Sequence, residues 1–219
     1  SAQSPVGSMT HHVLHVDRNG RLDVITDLAA APGRTVLFTR TKRGAKVLAR
    51  QLNQRGVPAV ELHGNLSQGA RTRALNAFSS GKATTLVATD IAARGIHVDD
   101  VGLVVHADPP AEHKAYLHRS GRTARAGASG TVVTVMVDGQ QADVRDLTRK
   151  AGIKPTTTKV TLGHPLLATI APGERRMLDP IETVAESVDA RPARGRGQAA
   201  AGGGGNRSRR SGAGQGQQR

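Results

Sequence analysis

The sequence predicts a three-layer α/β fold, a mostly parallel central sheet with helices on both faces. Three observations carry this. Short Val/Leu/Ile runs alternate with amphipathic helical segments from residue 10 to about residue 150, the pattern of strands joined by crossover helices. Aromatic residues make up only 1% of the chain (Phe38, Phe78 and Tyr116), so the core must be aliphatic, as in sheets buried on both faces. The polar clusters fall where the apolar runs end, and ligands of such folds collect beyond the carboxyl ends of the strands.

In order, Thr10 to Val16 reads as a strand, Arg21 to Ala30 as a helix and Thr35 to Thr39 as a buried strand. A helix follows from Lys42 to Gln54, with Thr41 as its N-cap and Gly56 as its stop. Ala59 to Leu62 is strand-like, Ser67 to Ser79 helical, and Thr84 to Ala88 and Leu103 to His106 are strands. Glu112 to Ser120 then reads as a helix, Thr131 to Val137 as a strand and Ala142 to Ala151 as a helix. The division expected is a linker over 1–9, one domain over 10–152, a weakly structured extension over 153–189 and a disordered Arg/Gly-rich tail over 190–219.

With 37% apolar residues in 219, there is enough for one core rather than two. The absence of cysteine excludes disulfides, thiolate metal sites and a thiol nucleophile. No apolar run approaches membrane-spanning length, and the expectation is a cytoplasmic, monomeric protein that enters no membrane. The net charge of +14 points to a polyanionic partner. Seven arginines and no acid lie between residues 190 and 219, so half of that excess sits in the tail. With so few aromatic rings for base stacking, a nucleic acid would be held by its backbone.

Five clusters carry the chemistry. At Phe38–Lys42 a buried strand meets a helix start, where Thr41 and backbone amides can hold a phosphate or simply cap the helix. His63–Arg71 places Gln68 and Arg71 three apart in a first helical turn, projecting outward, with Gly64 admitting close backbone approach. Ala88–His97 presents the Thr89 hydroxyl, the Asp90 carboxylate and the Arg94 guanidinium at a strand end before a turn at Gly95; Asp90 and Arg94 are close enough in sequence to pair. In Val105–Pro110, His106 and Asp108 suit orienting roles. Tyr116–Gly127 spaces Arg119, Arg122 and Arg125 by three, on one side of a helical turn. A rigid guanidinium pair suits a phosphate whose charge is being redistributed.

The order LFTRTK, HGNLSQGAR, ATDIAARGI, VVHADPP and YLHRSGRTARAG resembles the C-terminal RecA-like domain of DEAD-box RNA helicases, bacterial ones especially, over residues 10 to about 150. The resemblance implies that Arg122 and Arg125 are arginine fingers on the ATP γ-phosphate. It implies that His118 and Arg119 line the nucleotide cleft, with Gly95 and His97 on the same side. Gly64, Gln68, Arg71, Thr89 and Thr41 would hold the RNA sugar-phosphate chain, and Asp90 and Arg94 would stabilise their loop. One position departs: members usually carry Asp where this chain has His97, and an imidazole can still hydrogen-bond a ribose hydroxyl but cannot act as a charged acceptor.

Neither G-x-x-x-x-G-K-[ST] nor Asp-Glu-Ala-Asp occurs in the chain. The resemblance therefore implies half of an ATPase that works on ATP and Mg²⁺ with a preceding N-terminal RecA-like domain, which would hold the metal. RNA is the expected partner, local duplex unwinding the expected action, and the basic tail an added source of RNA affinity. Two rival readings remain at this level, a stand-alone RNA-binding module and a fragment of a DNA helicase. His11, His12 and His15 sit close in sequence but lack further ligands, and no metal site is expected from this chain.

Overall fold

The computed structural model describes residues 9–96, 101–123 and 130–180. Seven strands form a single sheet: β1 (Met9–His15), β2 (Arg34–Phe38), β3 (Ala59–Leu62), β4 (Thr85–Ala88), β5 (Val101–His106), β6 (Gly130–Met136) and β7 (Thr156–Lys159). Their order is β3-β4-β2-β5-β6-β1-β7, and every pairing is parallel. The helices are α1 (Arg21–Ala29), α2 (Lys42–Gln54), α3 (Gln68–Ser79), α4 (Asp90–Ala93), α5 (His113–Ser120), α6 (Gln141–Lys150) and α7 (Pro165–Ile170).

The alternation of side chains along each strand divides the core in two. On one face Leu14, Leu37, Val87, Val105 and Val133 pack against Ile25, Leu48, Leu52 and Leu167 of α1, α2 and α7. On the other, Val36, Phe38, Leu86, Val104 and Val132 meet Phe78, Ala92, Tyr116 and Leu147 of α3 to α6. The predicted three-layer fold is what forms.

Local chemistry sets the helix ends. The Thr41 hydroxyl accepts from the Gly44 amide at 3.0 Å and starts α2, and Ser67 does the same for α3 through Ala70 at 3.2 Å. Gly56 ends the α2 segment at φ +83°, a conformation that favours glycine. A Cβ there would also stand 1.9 Å from the carbonyl oxygen of Leu178.

Asn53, 2% exposed, ties α2 to the edge strand β3. Its amide nitrogen donates to the Ala59 carbonyl and its oxygen accepts from the Ala59 amide, both at 2.9 Å. Asn53→Ala would leave two buried backbone groups unpaired. We expect it to cost about 2–4 kcal/mol, read as a lower urea midpoint at an unchanged slope.

The extension expected to be weakly structured is instead built into the fold up to residue 180. β7 extends the sheet by pairing with β1, and Leu167 and Ile170 of α7 join the core. The physical reason is local. β7 is an edge strand of Thr-Thr-Thr-Lys facing water, so it carries no apolar alternation, and α7 is only 6 residues long, too short to display a helical period. Beyond α7 the chain crosses the ends of α1 and α2. Arg175 pairs with Asp27 at 3.0 Å, the Arg176 amide donates to Ala30 O, and the Leu178 amide donates to Gly56 O.

Candidate nucleotide- and RNA-facing edge

Because all strands are parallel, their carboxyl ends share one edge. Leu62, Ala88, Phe38, His106 and Thr134 stand side by side in register, so the loops after β2, β3, β4 and β5 converge there. These loops contain the predicted clusters that lie among the described residues. Arg125 and His97 lie outside the described residues.

Asp108, in the loop after β5, fastens the loop after β2 and the start of α1 to its own. Its carboxylate accepts from the Arg40 amide at 3.0 Å and from Arg21 at 3.1 Å. Arg21 also donates to Ala107 O at 2.6 Å, and Arg40 to Pro109 O at 2.7 Å. The orienting role expected of Asp108 is the one it has. Sequence reasoning missed Arg21 and Arg40, and the available signal was that an acid at a strand end needs cationic partners. Pairs 87 and 68 residues apart are invisible to local spacing.

Arg119 differs from expectation. It does not line an open cleft: it is 1% exposed, packed with its guanidinium 5.2 Å from the centre of the Phe38 ring. Its Nε and Nη2 bind the two Asp90 oxygens at 2.5 and 2.7 Å, and Nη1 donates to Asp108 O at 3.0 Å. The partner of Asp90 is thus Arg119 of α5, and Arg94 is exposed. The reason is geometric. Arg119 lies within α5 and points to the sheet, whereas Gly121 ends the helix and turns Arg122 elsewhere, so the two do not share a side as their spacing suggested.

Arg122 stands at the surface of this edge. Its Nη1 donates to Ile96 O at 2.6 Å, and Nη2 lies 2.8 Å from His118 Nε2. A guanidinium can only donate, so His118 must accept as a neutral ring. Burial, then the Arg122 and Arg94 charges, lower the His118 pKa, while Asp90 opposes them. The ring is therefore held neutral at neutral pH. Arg119, inside α5, is thus a structural bolt, whereas Arg122, just past its end, stands at the edge between Ile96 and His118.

The remaining predicted residues line the same edge. Gly64 is exposed, and a Cβ there would meet only Lys42 Cδ at 4.0 Å. Gln68 is exposed as expected. Arg71 is half-buried instead of projecting freely and donates to Ala92 O at 2.9 Å, bridging α3 to α4. Thr89 is 7% exposed at the head of α4 and makes no side-chain cap. The Thr41 hydroxyl is engaged as a cap, and Lys42 reaches Asn65 at 2.8 Å, joining the loops after β2 and β3. Gly95 turns the chain at φ +78°. Ile91 is 80% exposed beside these residues.

His106 is fully buried, its ring 4.6 Å from that of Tyr116, whose hydroxyl meets His11 at 2.7 Å. His15 pairs with Asp138 at 2.6 Å. Among the described residues no group of three His, Asp or Glu side chains is placed to hold a metal ion. No helix among them is long and apolar enough to cross a membrane. A cavity of about 610 Å³, which the sequence did not signal, lies between Arg40, the loop over 109–112, the start of α5 and α6.

Comparison with known proteins accords with this geometry. Residues 20–127 match the helicase conserved C-terminal domain. The DEAD-box ATP-dependent RNA helicase 7 of Spinacia oleracea is 39% identical over 150 residues, covering 67% of this chain and 21% of the relative. The chain thus spans about a fifth of the curated relatives it matches. A DEAD box protein from the hyperthermophile Methanococcus jannaschii superposes with a TM-score of 0.65 at 29% identity, over 70% of this chain and 42% of that one. Saccharomyces cerevisiae Dbp5 bound to RNA and ADP BeF3 gives 0.64 at 29% identity, with the same coverage. The parallel sheet, the loops gathered at its carboxyl edge and these likenesses together show a RecA-like α/β fold whose residues 20–127 match the helicase conserved C-terminal domain and which is similar to that domain of DEAD-box ATP-dependent RNA helicases.

Proposed function

We propose that this chain supplies the C-terminal half of an ATP-dependent RNA helicase of the DEAD-box type, one whose motifs resemble those of bacterial members. The observation that carries the reading is the position of Arg122, set at the carboxyl edge by the Ile96 carbonyl and the neutral His118 ring. A guanidinium is planar, always charged and able to bind two phosphate oxygens at once. Its orientation is set before the ligand arrives, which is the condition for electrostatic stabilisation of a developing charge.

In this reading ATP supplies the phosphoryl group, and its Mg²⁺ is held by an N-terminal RecA-like domain. This chain contributes Arg122 and Arg125 to the γ-phosphate, with His118 orienting Arg122. Arg119 acts at one remove, by holding Asp90 and the loop that follows β4. Gly64, Gln68, Thr89 and the amides after β2 face the RNA backbone. Differential affinity of ATP and RNA for the closed pair of domains drives closure.

The test is to join the chain to an N-terminal DEAD-box domain and measure RNA-stimulated ATP hydrolysis. Arg122→Ala should lower it about 10³-fold or more, the worth of an arginine finger, with little change in the melting temperature. Undiminished hydrolysis would remove Arg122 from the catalytic role. RNA binding without hydrolysis in the joined protein would favour a stand-alone RNA-binding module.

A further inference from the structure

The exposed side of α2 is a cationic stripe that the nucleotide- and RNA-facing edge does not use. Arg43, Lys46 and Arg50 follow one another at three- and four-residue spacing and are all exposed, so they share one side of the helix. Among the described residues none of the three has an acidic partner. Their axial separations are about 4.5 and 6 Å, given the rise per helical residue.

Other helices show that this is not the ordinary surface of the protein. α6 carries Asp143 and Asp146 among its cations, and Asp146 pairs with Arg149 and Lys150. α1 contains Asp23 and Asp27. α2 has no acid, and with Lys42 it holds four cations in 13 residues. The arrangement is unfavourable for the helix itself. Lys42 and Arg43 stand at the positive end of the dipole, and Lys46 has like charges three residues before it and four after it. A surface needed only for solubility would relieve both with a single Glu.

The placement of α2 gives the stripe a direction. Its first turn lies at the carboxyl edge, where Lys42 touches Asn65 of the loop after β3. Its far end lies at Gly56, which bonds to Leu178. In sequence, seven arginines and no acid follow after residue 190. The cations therefore run down the flank of the molecule, from the edge assigned to RNA toward the end of α2 that Leu178 contacts.

We propose that this side of α2 is a phosphate-binding track for RNA flanking the segment held at the carboxyl edge, read through backbone charge without base specificity. The proposal rests on the RNA-binding reading above. It extends that reading to a second surface and a longer RNA footprint.

The test compares the full chain with its Arg43→Gln/Lys46→Gln/Arg50→Gln variant by fluorescence anisotropy. One probe is a six-nucleotide single strand and the other the same strand lengthened by ten nucleotides. We expect the variant to bind the short strand unchanged and the long strand tenfold or more weakly. The slope of log affinity against log salt for the long strand should become shallower by about 2, the share of three phosphate contacts on a single strand. Its melting temperature should be equal or higher, because like-charge repulsion is removed. Unchanged affinity for the long strand would overturn the track and leave the stripe as solvated surface or a site for an acidic protein. An equal loss for both strands would also overturn it, by making the stripe part of the edge site. Failure of the unsubstituted chain to bind either strand would sink the RNA reading itself.

Discussion

Asp90→Ala is expected to destabilise this domain by about 3–5 kcal/mol, because it strands a charged side chain in the interior. Arg119 is 1% exposed and cannot shed its proton, so without the carboxylate its charge keeps only the Asp108 carbonyl and the Phe38 ring. The reverse change should cost less. Arg119→Met leaves Asp90, whose side chain is 35% exposed and can be rehydrated, so a loss of about 1–3 kcal/mol is expected. The double variant should be more stable than Asp90→Ala alone, since it removes the unpaired charge. Urea denaturation of the three proteins checks this order. Equal losses for the two single variants would show that the guanidinium finds water or another partner. The pair also spans α4 and α5, so Asp90→Ala should loosen the Thr89 loop as well.

The second large effect concerns pH. His106 is fully buried, and desolvation, then the Arg119 charge, then His11 push its pKa well below the ordinary value. The unfolded chain binds a proton near pH 6.5, whereas the folded chain does not until much lower pH. The stabilisation associated with His106 is therefore fully present above about pH 6.5 and is lost as pH falls from there toward the folded value. One proton corresponds to about 1.4 kcal/mol per pH unit. His106→Leu should flatten the acid side of the stability curve by that amount, gaining about 2 kcal/mol on the parent between pH 7.5 and pH 5. Parallel curves for parent and variant would show that another group governs the acid limb. His12 and His118, whose pKa values burial also lowers, contribute to the slope that remains.

Much of the fold was legible because its signals are local. The apolar runs at Thr35–Phe38 and Leu103–His106 are too short and continuous for anything but buried strands, and Thr41 and Ser67 cap the helices they precede. The polar clusters marked the strand ends, and a parallel sheet places all such ends on one edge. What failed was local in appearance only. Residues 156–170 lack any apolar period yet complete the sheet and core, since an edge strand needs only a neighbour with free backbone groups.

The sequence by itself determined the order of elements, the aliphatic core, the positive charge and the chemistry available at the carboxyl edge. Each depends on composition and near-neighbour spacing. Only the tertiary structure decided which arginine serves which purpose. Arg119, Arg122 and Arg94 are equivalent as residues in a motif. Packing buried the first against Asp90 and Phe38, set the second between Ile96 and His118 and left the third at the surface. A guanidinium's role follows from the acceptors around it. Those acceptors come largely from the segments that follow β4 and β5, distant in the chain from one another and brought together by the parallel sheet.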